Sequence, residues 1–164
     1  MSAFDIRQCF PFEKIREQQE TAINFILKSF INEKKKFVIV EAGTGVGKSA
    51  IGYTIARYLN TLKFNDDDYD RGSWFLTTQK ILQKQYVRDF SKFNMRSVKS
   101  ARNHTCKFNK QASCKDGQMV LRNIEKKSKQ WKTCVFECPY KAEKKSFLDS
   151  TESITNFSYF LAES

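Results

Sequence analysis

The sequence has no long hydrophobic run and no signal sequence, and these absences exclude two classes of protein. No apolar span reaches about 18 residues, the length that would indicate a membrane helix. The first five residues, MSAFD, lack the basic and apolar regions of a secretory signal peptide. We therefore expect a cytoplasmic protein that neither enters a membrane nor is secreted. At 164 residues, the chain suits one domain, with or without a small insertion.

Acidic residues are scarce in one part of the chain. The formal net charge is +11, and residues 99–145 hold thirteen Lys or Arg against four Asp or Glu, which is +9 of that charge. A basic surface concentrated in one region is typical of a protein that binds a polyanion, and nucleic acid is the leading candidate. The alternative is a basic face that is only solvated.

The clearest chemical motif is a glycine-rich loop at residues 41–49, EAGTGVGKS. It follows the apolar run 37–40, which we predict to be a strand, and it leads into a helical pattern that begins near Lys48. Glycines let the backbone N–H groups point inward, Lys48 can reach the β- and γ-phosphates, and the Ser49 hydroxyl can ligate Mg²⁺. The motif therefore predicts that a nucleoside triphosphate is bound.

The loop departs from the usual pattern G-x-x-x-x-G-K-[ST] at its first position. Alanine is small enough to be tolerated there. The alternative is an ordinary glycine-rich turn between a strand and a helix. The residues predicted to bind the nucleotide are Ala42, Gly43, Thr44, Gly45, Val46, Gly47, Lys48 and Ser49.

Hydrophobic spacing predicts an α/β fold. Apolar residues at intervals of three and four predict an amphipathic helix over residues 11–33, and a second helix is expected from residue 48 to about 60. A short strand at residues 74–78 and a helix at 81–90 follow, after an acidic run at 65–72 that we interpret as a solvated loop. This order indicates a parallel sheet flanked by helices.

Two threonines are expected beside the phosphate loop. Ligands of parallel sheets bind beyond the carboxyl ends of the strands, which is where Thr77 and Thr78 end the predicted second strand. Their hydroxyls and the first turn of the next helix could hold a phosphate of a nucleic acid strand. Capping of that helix by the same threonines is the alternative, and the two roles are compatible.

Four of the five cysteines lie in the basic segment, and Cys9 stands apart. In a cytosolic chain this argues against disulfides and for a metal, a cluster or buried thiols. Four thiolates suit either zinc or a [4Fe–4S] cluster, although only one pair has the close spacing typical of zinc sites. The segment is rich in lysine and poor in apolar runs, so a cross-linking centre would compensate for a small core. The candidate ligands are Cys106, Cys114, Cys134 and Cys138.

These motifs together resemble the iron–sulfur helicases of superfamily 2, of the DinG and XPD type. Arg16 and Gln19 look like the R-x-x-Q adenine-recognition motif, and the phosphate loop looks like motif I, in which alanine at the first position is usual. Residues 77–85, TTQKILQKQ, are similar to motif Ia, and residues 99–140 look like the insertion that carries the cluster ligands. Residues 154–157 resemble the segment that returns to the sheet.

The resemblance implies an ATP-dependent 5′-to-3′ DNA helicase with a RecA-like motor domain. It implies that Lys48 contacts the phosphates, that Ser49 binds Mg²⁺, and that Gln19 with Arg16 recognises adenine. The four cysteines would hold a [4Fe–4S] cluster, and the cluster domain would act as a wedge at a DNA fork. The implied contacts to single-stranded or forked DNA are Thr77, Thr78, Gln83, Arg102 and Lys107.

The same resemblance implies a domain plan. Residues 1–95 would be the first part of motor domain 1, residues 96–150 the iron–sulfur insertion, and residues 151–164 an incomplete return to the motor domain. No D-E-x-H motif, whose carboxylates would hold Mg²⁺ and activate water, follows the second strand. We therefore expect the N-terminal portion of a helicase, with the rest encoded downstream, that does not hydrolyse ATP by itself.

Two other functions are compatible with parts of the sequence. A non-catalytic nucleic-acid-binding module, stabilised by zinc or a cluster, could keep the phosphate loop as a relic. A small nucleotide kinase would use the same loop, but it gives no reason for four cysteines in a lysine-rich segment.

Overall fold

Seven α-helices and three β-strands, joined by short π- and 3-10-helical turns, make up the regular structure of the described residues. The computed structural model describes residues 4–62 and 72–163, except for the side chain of Arg122, so most of the acidic run at 65–72 lies outside the described residues. The chain divides into two compact units, Met1–Gly72 and Ser73–Ser164. The elements are α1 (Glu17–Leu27), α2 (Lys48–Thr61), β1 (Ser73–Thr77), α3 (Lys80–Asp89), β2 (Arg96–Ser97), α4 (Cys114–Val120), α5 (Lys129–Phe136), α6 (Pro139–Leu148), β3 (Glu152–Asn156) and α7 (Phe157–Glu163).

Helix α1 is shorter than predicted. It begins at Glu17, whereas the apolar spacing predicted a helix from residue 11. Arg16 is the N-cap in an extended conformation, and its backbone N–H donates to Gln19 Oε1 at 3.0 Å, which closes the helix start at this position. A π-helical turn, Lys28–Asn32, continues α1 almost to the predicted end.

The core of the first unit joins α1 to α2. The apolar face of α1 packs against the start of α2 and against two residues of the N-terminal segment. This burial explains why the 3.6-residue period is visible in both helices, since each presents one apolar stripe to the other. The core residues are Ile6, Phe10, Ile23, Ile26, Leu27, Ala50 and Ile51.

The predicted strand at residues 37–40 is wrong. The run is irregular, and Phe37 and Ile39 are 86% and 95% exposed. A strand needs a neighbour to pair its backbone N–H and C=O groups. Among the described residues, β1, β2 and β3 are the paired strands, and all of them belong to the second unit.

The second unit contains a parallel sheet with the order β1-β3-β2. Strand β3 is central, pairing Ser73 to Thr77 of β1 with Glu152 to Asn156 and both residues of β2 with Ser153 and Ile154. It contains the first three residues of the segment expected to return to the sheet. The α/β class, with a small parallel sheet flanked by helices, is confirmed.

Helices α4, α5 and α6 lie between β2 and β3, so the cysteine segment is mainly helical. It shares its core with the sheet, because Cys114 and Cys138 pack in one apolar cluster with Val98, which follows β2. Two buried side chains of β3 donate hydrogen bonds to backbone carbonyl groups of the segment between β2 and β3. Thr155 Oγ1 donates to Val98 O at 3.0 Å, and Ser153 Oγ donates to Phe147 O at 2.7 Å.

Every helix within residues 4–62 and 72–163 is too short or too polar to span a membrane.

Candidate nucleotide and nucleic-acid sites

The phosphate loop has the backbone shape that its glycines allow. Gly45 and Gly47 adopt positive φ angles of 81° and 85°, and Gly47 is the N-cap of α2. Lys48, in the first turn of α2, donates from Nζ to Ala42 O at 2.7 Å and to Gly43 O at 3.0 Å. The ammonium group is thereby held across the loop, beside the positive end of a 14-residue helix. Ser49 follows it in the same turn.

Arg16 and Gln19 contact the phosphate loop itself. Arg16 Nη1 donates to Gly45 O at 3.0 Å, and Gln19 Nε2 donates to Val46 O at 2.9 Å. Gln19 Oε1 accepts from the Arg16 backbone N–H, so both polar atoms of this side chain are engaged. Gln19 is 5% exposed. The predicted partners of adenine are thus next to the loop and bound to two of its carbonyl groups.

A groove of about 610 Å³ opens in the second unit, next to the carboxyl ends of β1 and β3. It brings together two of the predicted DNA contacts, Thr78 and Arg102. Lys80, which follows Thr78 in motif Ia, and Lys115 of α4 also line it. These three cations outnumber the one carboxylate that lines the groove, Glu163, so the groove has a net positive charge that suits phosphates. The net positive charge of residues 99–145 predicted a basic surface. It did not indicate that Lys80 and Lys115 would line this groove.

Two predicted DNA contacts are placed elsewhere. Gln83 is fully buried and donates from Nε2 to Val98 O at 3.5 Å, so its side chain supports the residue after β2. This burial indicates a supporting role for Gln83, and its contact with DNA stays a prediction. Lys107 is exposed and forms an ion pair with Glu137 at 2.9 Å, outside the groove. Thr77 comes just before Thr78 in the chain but does not line the groove. Its Oγ1 accepts from the Gln79 backbone N–H at 3.3 Å, close to the start of α3.

The phosphate loop lies in the first unit, and Thr77 and Thr78 lie in the second. Their expected position at one edge stays a prediction.

The four cysteines of the basic segment line one small cavity. A short bridge between Thr105 and Ser113 brings Cys106 and Cys114 together across seven intervening residues. Cys134 lies in the last turn of α5, and Cys138 is the N-cap of α6. All four thiols are buried and free of disulfides.

Gly117 leaves room for these thiols. A Cβ at this position would lie 3.0 Å from Cys106 Sγ and 3.8 Å from Cys134 Sγ. Any larger residue would therefore press on the sulfur atoms. The spacing of the cysteines in the sequence did not indicate that a small residue is needed at position 117.

The neighbouring thiols oppose each other's ionisation. Burial raises the pKa of the Cys114 thiol to about 11, and the nearby Cys138 and Cys106 add to the rise. Burial also raises the pKa of Cys134, with Cys106 as the next cause. The thiols of Cys114 and Cys134 therefore hold their protons at neutral pH, and a cation bound by them would have to displace those protons. Within the described ranges, no three Cys, His, Asp or Glu side chains are arranged as a metal-ion site.

We expect the substitution Gly47→Ala to destabilise the first unit. Its φ of 85° is unfavourable for alanine, and the added Cβ would lie 2.4 Å from Gln19 Nε2. The expected loss in the free energy of unfolding is about 1–3 kcal/mol, measured by urea denaturation followed by circular dichroism.

Gly43→Ala is the matched control. No atom lies within 4 Å of the Cβ that it would add, so the change in the free energy of unfolding should stay within about 0.5 kcal/mol. Equal losses for the two variants would contradict the loop geometry described here.

A comparison with models of protein families matches residues 12–159 to ResIII, described as type III restriction enzyme, res subunit. The matched region includes the phosphate loop, the four cysteines and the three cations of the groove, which is called the basic groove below. No curated protein and no solved structure was found to match the chain. The family match covers most of the chain and is to a helicase-type domain of superfamily 2. The chain therefore belongs to the ResIII family.

Proposed function

We propose that this chain has the nucleotide- and DNA-binding functions of an ATP-dependent DNA helicase, and that it binds ATP–Mg²⁺ through its phosphate loop and single-stranded DNA through its basic groove. The observation that carries the proposal is the position of Lys48, whose Nζ lies 2.7 Å from Ala42 O and 3.0 Å from Gly43 O. A phosphate entering the loop would meet this ammonium group and the N–H groups at the start of α2. Membership of a helicase-type family supports this reading of the loop.

Each residue of the loop has a chemical task in this proposal. Lys48 neutralises the β- and γ-phosphates as a charged hydrogen-bond donor. The Ser49 hydroxyl ligates Mg²⁺, which bridges the same phosphates. Hydrolysis needs a carboxylate pair as well, and the sequence contains no D-E-x-H motif. Binding of nucleotide is therefore the property to measure in this chain.

The variant Lys48→Ala should bind ATP–Mg²⁺ at least about tenfold more weakly than the natural chain, because a charged hydrogen bond to phosphate contributes about 1.5–3 kcal/mol. Isothermal titration calorimetry measures the dissociation constant. Lys36→Ala, which removes the same charge from an exposed position outside the loop, should leave it unchanged. Unchanged binding by Lys48→Ala would contradict the proposed nucleotide site.

The basic groove supports the nucleic acid part of the proposal. Thr78, Arg102 and Lys115 face the same open space, and Lys80 is held there by a hydrogen bond to Asn103 Oδ1 at 2.9 Å. The groove lies beyond the carboxyl ends of β1 and β3, which is the usual place for ligands of parallel sheets. Phosphate contacts from these cations would bind DNA with little dependence on base sequence.

The double variant Arg102→Ala/Lys115→Ala should bind a single-stranded oligonucleotide more weakly, with a weaker dependence on salt. For single strands, the slope of log K against log salt concentration falls by about 0.7 for each phosphate that the protein no longer neutralises. Fluorescence anisotropy at several salt concentrations measures both quantities. Lys110→Ala, an exposed lysine outside the groove, is the matched control. A slope that is unchanged in the double variant would contradict the groove as the DNA site.

We further propose that the four cysteines hold a [4Fe–4S] cluster, as the DinG and XPD resemblance implies, and that the same resemblance sets the 5′-to-3′ direction. The type and number of the donors are those of a cluster site, because four buried thiols line one small cavity. Among the described residues these thiols are not arranged as a metal-ion site, so binding a cluster would require them to rearrange. When bound, the cluster would cross-link α4, α5 and α6, which belong to the proposed insertion at residues 96–150.

The substitution Cys134→Ala should remove the metal and the visible absorbance of protein purified without oxygen, because it deletes one of four ligands. Iron, sulfide and zinc analysis on the same samples identifies the centre. Cys9→Ala changes a buried cysteine of the other unit and should keep the full metal content. Stoichiometric zinc without iron in the natural chain would contradict the cluster.

A further inference from the structure

Gln19 and Arg16 are placed to hold the phosphate loop. In the DinG and XPD resemblance these two residues recognise adenine. Here the Gln19 amide is 5% exposed, and its two polar atoms bind the Arg16 N–H and Val46 O. The partners also fix the orientation of the amide, because a backbone N–H can only donate and a carbonyl oxygen can only accept. Little of this side chain is left to contact a base.

The two contacts also set the direction of the loop amides. In a trans peptide, the C=O and the N–H point in opposite directions, and the described chain has no cis peptide. Arg16 holds Gly45 O, and Gln19 holds Val46 O. The N–H groups of the same two peptides, those of Val46 and Gly47, are therefore turned away from the start of α1. Those N–H groups are the ones that a phosphate-binding loop offers to its anion.

We propose that Gln19 and Arg16 are positioning residues that keep the loop amides directed at phosphate, and that Gln19 does not select the base. This inference rests on the proposed nucleotide site. It assigns the direction of the loop amides to these two residues, while the charged contact with phosphate remains the role of Lys48. The chain should consequently bind any ligand with a triphosphate group, whatever its base.

Gly47 also contacts Gln19. A Cβ at this position would lie 2.4 Å from Gln19 Nε2, so the amide fills the space that a side chain would need. The loop and the glutamine therefore contact each other directly. Arg16 is exposed and reaches the loop from the solvent side.

The test compares three ligands, ATP, GTP and inorganic tripolyphosphate, each with Mg²⁺. Isothermal titration calorimetry gives the dissociation constant and the stoichiometry of the natural chain and of Gln19→Ala. We expect all three ligands to bind about five- to tenfold more weakly to Gln19→Ala, by the same factor and with unchanged stoichiometry, because one hydrogen bond to the loop is removed. Partial unfolding alone would lower the stoichiometry. Gln18→Ala, an exposed neighbour, should change nothing.

A second variant keeps the test decisive if Gln19→Ala fails to fold. Arg16→Ala removes an exposed side chain and should also weaken all three ligands equally, by about two- to fivefold. Lys14→Ala removes the same charge from another exposed position and is its control.

Weakened binding of ATP with unchanged binding of tripolyphosphate would overturn the inference and make Gln19 a base-recognising residue. Unchanged binding of every ligand by both variants would overturn it as well. In either case the proposed nucleotide site stands if Lys48→Ala still loses binding. If the natural chain binds none of the three ligands, both this inference and the proposed nucleotide site are overturned.

Discussion

The hydrogen bond from Gln19 to Val46 O connects the two parts of the first unit on which the proposed nucleotide binding depends. One part is the start of α1, which Gln19 closes by accepting the Arg16 N–H. The other is the phosphate loop, whose carbonyl group it holds. Gly47 has to be a glycine because its φ is positive and because the amide occupies the space beside it. The start of α1, the shape of the phosphate loop and the need for glycine at position 47 therefore all depend on the buried side chain of Gln19.

The second unit depends on a different kind of constraint, the crowding of four thiols inside a basic segment. Cys114 and Cys138 take the place of apolar side chains in the core, next to Tyr140 and Phe147. Such a core is small, and a cross-linking centre would strengthen it. Four thiolates around iron would carry negative charge, which the net +9 of residues 99–145 would offset while leaving cations for phosphates. The lysines and the cysteines are thus complementary features of one segment.

Local sequence patterns predicted the start of the second unit and part of the first. Helix α2, strand β1 and helix α3 were predicted from apolar spacing and from the loop motif, because a helix or strand with one buried face shows its own period. Spacing alone could not show that Gln83 faces the core, since the sheet that covers α3 includes β3, about seventy residues later in the chain. Nor could it show that Cys106 and Cys114 meet cysteines of α5 and α6.

The sequence by itself determined the chemistry available to this protein: a phosphate-binding loop, a basic segment and four thiols. Tertiary structure alone decided how these groups are used, because pairing and burial join residues that are distant in the chain. The run at 37–40 has the composition of a strand, but a strand forms only with a neighbour. Arg16 and Gln19 match a base-recognition motif, yet their contacts to Gly45 and Val46, nearly thirty residues away, are what direct them to the loop.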